Sequence, residues 1–195
     1  MRAIIALALL CAPVVAHADS YVELAGGISI PAGDDDYTNN VETSPVLALR
    51  AGAFPKELGL FFGAEWAPMN TDYENNQFAD VSAHRFRLMA GGIIHHNISN
   101  LLAFSARGGI GADIAYVNID SVVGDQSDTD VGLGFEFAGG LWAKVGGLEV
   151  GGELAIPIST HDDDNPGDFI PLDYTAYDVQ LLFAVRFVSR SGGGD

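Results

Sequence analysis

The residues of this chain with chemical potential are charged side chains set at alternate positions within apolar stretches. Glu23, Arg50, Glu65, Arg85, Arg87, Arg107, Asp113, Glu136, Glu149, Glu153, Asp178 and Arg186 each fall opposite a row of large apolar residues. Carboxylates and guanidinium groups in such numbers suit ion pairing, because a buried charge is tolerable only when paired and hydrogen-bonded. The same twelve residues could instead line a narrow ion path gated by one of their pairs. Glu149 and Glu153 lie two same-face positions apart, as a carboxylate pair would, but arginines on other rows make counter-charged packing the simpler account. The run His95-His96-Asn97-Ile98-Ser99-Asn100 sets imidazoles near hydroxyls, the parts of a base-activated nucleophile. Histidines in a turn are more often plain surface residues, and no enzyme is expected. Asp162, Asp163, Asp164 and Asp168 are weak candidates for a divalent cation. As an EF-hand the run from Asp162 fails, because Pro166 occupies its fifth position and Asp173, not Glu, its twelfth. A solvated acidic loop is the default, and no metal or other cofactor is expected.

Eight alternating stretches carry these residues. They are Val22–Ile30, Leu47–Ala53, Leu58–Trp66, His84–His95, Leu102–Tyr116, Val131–Ala143, Leu148–Ile158 and Tyr177–Phe187. In the third, Glu65 opposes Leu58, Leu60, Phe62 and Trp66; in the eighth, Asp178, Gln180 and Arg186 oppose Val179, Leu181, Phe183, Val185 and Phe187. Alternation of this kind marks a β-strand with two unlike faces. Ordinary sheet strands average about 5–6 residues, whereas a tilted strand crossing a bilayer needs about 9–11. Most of the eight reach the second length. The apolar face must therefore be covered, by a protein core in a soluble barrel or by lipid in a membrane barrel.

The connections favour the second arrangement. Those after the second, fourth and sixth stretches are short: Phe54–Glu57, His96–Asn100 and Lys144–Gly147. Those after the first, third, fifth and seventh are long: Pro31–Pro45, Met69–Ala83, Asn118–Asp130 and Ser159–Ala176. The long ones hold 16 of the 26 acidic residues and no Lys or Arg, so one end of the molecule is acidic. Alternate connections of an up-and-down barrel share an end, and short turns opposite long loops are the outer-membrane pattern. The expected fold is all-β: an eight-stranded antiparallel up-and-down transmembrane β-barrel. A soluble secreted ligand-binding barrel, with the apolar row inside, is the less favoured alternative.

Composition agrees. The chain has 195 residues, 48% hydrophobic and 18% charged, with a formal charge of −17. That much apolar content excludes an acidic disordered chain, and the sign of the charge argues against nucleic-acid binding. Residues 1–18 join Arg2 to a short apolar run ending in Ala16-His17-Ala18, the parts of a cleaved signal peptide. A lipoprotein signal at Cys11 is disfavoured by Leu10 before it. Cys11 is the only cysteine, so the exported chain must be held without disulfides. The expected organisation is a signal peptide over 1–18, a barrel over 19–188 and a short flexible tail over 189–195.

With its eight amphipathic stretches, the chain resembles the small outer-membrane β-barrel proteins of Gram-negative bacteria, in the outer-membrane protein A-like eight-stranded form without a peptidoglycan-binding domain. The most specific likeness is Tyr177–Phe187, alternating hydrophobics that end on an aromatic. In this family that pattern resembles the signal read by the barrel-assembly machinery, although here eight more residues follow Phe187. The resemblance implies an outer-membrane location, contact with lipid and lipopolysaccharide, and a monomer. It implies a non-enzymatic structural or surface-interaction role with a lumen mostly filled by salt bridges, or alternatively a narrow ion or small-molecule channel. Some lipid A deacylases share the barrel with a His-x-Ser pair, but the His95–Asn100 run has the wrong spacing and lies at the short-turn end. Parity turns Trp142 inward as a plug, and sets Trp66, Tyr116, Phe54, Phe104 and Phe187 as aromatic girdles. Inward glycines, among them Gly27, Gly52, Gly63, Gly109, Gly111, Gly134 and Gly151, leave room for water or for long arginines. Cleavage after Ala18 predicts that the exported protein begins at Asp19; N-terminal sequencing of the membrane-extracted chain checks it, and a start elsewhere refutes the assignment.

Overall fold

The structure, a computed structural model, describes residues 19–33, 38, 41–69, 79–121, 124–161 and 174–189. The expected signal peptide and the tail beyond Ser189 lie outside the described residues. Eight strands follow in order: β1 Asp19–Gly33, β2 Ser44–Phe54, β3 Leu58–Met69, β4 Ala79–Asn97, β5 Leu102–Ser121, β6 Gly124–Val145, β7 Leu148–His161 and β8 Tyr174–Ser189. Each pairs antiparallel with the next, and β8 returns to β1, so the sheet closes into a barrel. Closure gives every strand a hydrogen-bonded neighbour on each side around the wall.

The alternation read from the sequence is the radial direction of the side chains. Along β1, Tyr21, Glu23 and Ala25 are buried while Val22, Leu24 and Ile28 are exposed. The same holds around the wall: Leu49, Leu60, Leu88, Ile110, Phe137, Leu154 and Phe183 face outward, and the charged residues face in. A coat of this extent is far larger than the apolar patches tolerated on proteins in water. A soluble barrel with its apolar row inside is thereby contradicted.

At the short-turn end, Gly146 takes φ +64° in the two-residue link between Val145 and Leu148, a conformation open to Gly at no steric cost. The β4–β5 turn is held by Ser99, whose N–H donates to the Leu102 carbonyl (3.0 Å) and whose Oγ accepts from the amides of Leu101 and Leu102. At the other end one expectation fails. The segment Asn118–Asp130 is mostly ladder, not loop: β5 runs to Ser121, β6 starts at Gly124, and Asp120 pairs with Asp125. Strand pairing beyond the apolar belt needs no apolar face, so the polar sequence there hid it from an alternation test. The β6–β7 pairing stops at Leu133–Thr160, which leaves residues 124–132 of β6 paired on one side only among the described residues.

Inward glycines make room for large lumen side chains. A Cβ on Gly63 would meet Arg50 Cγ at 3.0 Å, one on Gly52 the Tyr21 ring at 2.6 Å, and one on Gly109 the Phe61 ring at 2.9 Å. Gly111 is tighter still, its Cβ falling 1.8 Å from the Leu88 carbonyl of β4, whereas outward Gly92 meets nothing nearer than 3.9 Å. Gly111→Val is expected to destabilise the barrel by about 2–4 kcal/mol, and Gly92→Ala by less than about 0.5 kcal/mol; urea unfolding of the two variants in lipid vesicles measures both.

Candidate functional site

The twelve charged residues expected inside are all buried in the lumen, each at most 6% exposed. They form two connected tiers. Toward the long-loop end, Arg87 of β4 donates to Glu65 of β3 (2.7 Å), Asp113 of β5 (2.9 Å) and Asp178 of β8 (2.9 Å). Arg85 joins the same acids, 2.8 Å from Asp178 and 3.6 Å from Asp113. Gln180 donates to Glu65 at 2.7 Å, and Ser159 donates to Asp113.

Toward the short-turn end, Arg50 of β2 donates to Glu23 at 2.8 Å and lies 3.4 Å from Glu153 of β7. Arg107 of β5 donates to Glu136 of β6 at 2.5 Å and also to Glu153. Arg186 of β8 donates to Glu23 through Nε (3.0 Å) and Nη2 (2.7 Å), and to Glu149 through Nη1 (3.4 Å). Its guanidinium lies 3.9 Å over the Trp142 ring and 4.6 Å over that of Tyr21. Trp142 is fully buried, and its Nε1 donates to Ser105 Oγ at 2.7 Å. An Arg50–Glu65 contact of 3.9 Å links the tiers.

Glu149 and Glu153 therefore share no site. They serve different arginines, so no acid–base pair forms between them. The His95–Asn100 run is not brought together either. His95 points into the lumen, buried, with its ring stacked on Phe54 at 4.8 Å; His96, one residue on, faces out and bonds Glu57 Oε1 at 2.8 Å. The expectation of a surface His95 is corrected, because β4 extends to Asn97 and parity carries His95 inside. Phe54 is likewise a lumen residue, not part of a girdle. Among the described residues no group of acids, His or Cys is spaced to hold a metal. Asp162, Asp163, Asp164 and Asp168 lie outside the described residues.

His161 and Gln180 are further lumen residues that sorting by sequence did not single out as site members. The His161 ring has Nδ1 against Asp130 and Nε2 3.7 Å from Asp113 Oδ1. Ser159, Asp113 and His161 are thus joined with the carboxylate in the middle. A hydrolase needs the imidazole in the middle, as base to the serine, so this is not such a triad. The signal for His161 was its parity with Ser159 and Pro157 on β7, obscured by the acidic run that follows it.

An apolar coat around a charged and packed lumen is the radial arrangement of the small outer-membrane β-barrels. Solved structures share this fold. Ail, the attachment invasion locus protein of Yersinia pestis, matches with a TM-score of 0.55 at 15% identity over 88% of this chain and 99% of that one. Neisserial surface protein A gives 0.57 at 12% identity over 86% and 96%. A major outer membrane protein from Thermus thermophilus gives 0.60 at 13% identity over 88% and 99%. Ail has also been solved in complex with the heparin analogue sucrose octasulfate. At these identities the likeness is one of fold. No protein-family profile and no curated protein sequence matches the chain.

Arg87 hydrogen-bonds three buried acids at once. Arg87→Met is expected to cost about 3–5 kcal/mol, because three acids lose a buried partner, while Lys144→Met at the turn end changes stability by less than about 0.5 kcal/mol. Urea unfolding of the vesicle-inserted barrel compares them.

Proposed function

We propose that the protein is a non-enzymatic integral outer-membrane barrel with a closed lumen, acting in envelope structure or surface interaction. The observation that carries this reading is the two-tier ion-pair network with Trp142, Tyr21 and Phe61 packed among it. An eight-stranded barrel is only wide enough for side chains to fill, and these fill it with paired charges and aromatic rings. Lipid contact follows from the outward coat, and the strand ending Phe183-Ala184-Val185-Arg186-Phe187 is the segment we assign to the assembly machinery. Chain export through residues 1–18 and a monomeric barrel complete the reading.

The loop end points to the chemistry of a surface partner. Binding a sulfated sugar, as in the Ail complex, calls for basic side chains, and the spans 31–45, 69–83, 118–130 and 159–176 hold no Lys or Arg. A partner here would be basic, or an anion such as a lipopolysaccharide phosphate bridged by divalent cations.

The purified mature barrel, refolded and shown folded by heat-modifiable migration, is expected to be silent in a planar bilayer, and Arg107→Ala is expected to be silent as well. Discrete conductance that changes in Arg107→Ala would replace this reading with a narrow channel lined by the same residues.

A further inference from the structure

We propose that His95 is a proton-operated latch on Arg186 at the short-turn end of the lumen. The imidazole sits between a cation and an anion. Arg186 Nη1 is 3.2 Å from His95 Nδ1, and His95 Nε2 is 3.3 Å from Glu149 Oε1. A guanidinium N–H can only donate. Nδ1 must therefore present its lone pair to Arg186, which leaves the ring proton on Nε2, aimed at Glu149. The geometry fits one state of the ring, the neutral Nε2–H tautomer.

The ring is fixed in place. Its backbone N–H donates to the Glu57 carbonyl at 2.6 Å, and one face stacks on Phe54, which in turn stacks on Tyr21 at 5.6 Å. The groups around it come from every neighbouring element. Phe54 of β2, Glu149 of β7 and Arg186 of β8 touch it, while Tyr21 and Glu23 of β1 and Trp142 of β6 stand behind them against Phe54 and Arg186. Its register partner on β5 is Ser105, with Arg107 two residues further along, and Lys144 lies within electrostatic reach of Glu149. On β3, Phe61 is the nearest inward aromatic and carries no charge.

Adding a proton to Nδ1 sets an N–H against the Arg186 N–H with no acceptor between them, two cations in a dry pocket. Glu149 still accepts from Nε2, so His95 stays. Arg186 is held at its other edge by Glu23 through Nε and Nη2, and its longer 3.4 Å contact from Nη1 to Glu149 lets it pivot about Glu23. Its Nη1 end leaves His95, and the stacking over Trp142 at 3.9 Å goes with it. The turn-end plug loosens in acid and reseals when the proton leaves.

Trp142 reports the event. In a Trp66→Phe background it is the only tryptophan, because the chain has two. For that barrel in lipid vesicles, Trp142 emission is expected to change about twofold on acidification and to recover when the acid is neutralised. His95→Gln, whose amide can accept from Arg186 and donate to Glu149 but does not titrate, is expected to stay within roughly a tenth under the same treatment. His161→Gln, which removes the other buried lumen imidazole, is expected to keep the full response. Ring nitrogen NMR shifts of His95 at pH 8 are expected to show a bare Nδ1 and a protonated Nε2. An Nδ1–H ring at pH 8, an unchanged response in His95→Gln, or its loss in His161→Gln overturns the proposal. If His95→Gln gives no heat-modifiable barrel, the ring shifts and the His161→Gln response decide the matter.

Discussion

The rest of the structure depends on the cost of burying charge inside a small closed barrel. Five guanidinium groups and seven carboxylates occupy the lumen, and isolated ions there would each carry a desolvation penalty of several kcal/mol. Each is therefore held by partners on other strands. Backbone hydrogen bonds tie a strand only to its two neighbours, but the side-chain pairs reach further. Arg87 on β4 bonds Asp178 on β8, and Glu153 on β7 is reached from Arg50 on β2 and Arg107 on β5. Ties of this kind fix opposite walls of the barrel relative to each other, which the ladder alone does not do. They also make the lumen residues interdependent, since removing one charge strands several others.

Packing of the lumen rests on a pairing of large and small residues. Arg50 lies over Gly63, Tyr21 over Gly52, Phe61 over Gly91 and Gly109, and Trp142 over Gly151. At these positions a large inward side chain lies against a neighbour that has none, so the barrel fills without overcrowding. The outer surface follows a different rule. Its side chains are aliphatic and aromatic on every strand, and some outward glycines such as Gly92 and Gly139 have free space above them. At the crowded inward positions glycine is a steric requirement; at Gly92 and Gly139 it is not.

The two ends differ in charge and in construction. The short turns carry Lys56 and Lys144, the two lysines of the chain, and are closed by local hydrogen bonds. The long connections carry acids without a Lys or Arg, and β5 and β6 extend their pairing to the 122–123 link. The lumen arginines are not available to balance those acids, because the buried carboxylates use them. An end built in this way repels anions and favours cations, whatever partner it meets.

Strand number, radial direction and the acidic end were legible in the sequence because each is a local property: alternation within a stretch, or composition within a connection. Parity alone placed all twelve charged residues inside, since a closed sheet leaves each side chain only two directions. Parity could not say which arginine meets which acid. Those pairings depend on the stagger between strands, and residues as far apart as Glu23 and Arg186 meet only when β8 closes on β1. The same limit hid His95 and His161 at strand ends, where a polar run resembles a loop until its partner strand is known. The sequence by itself determined which face of each strand points out of the barrel and which points into the lumen. Tertiary structure decided the pairing of charges, the burial of His95 beside Arg186 and the reach of β5 and β6, because all three depend on register between strands distant in the chain.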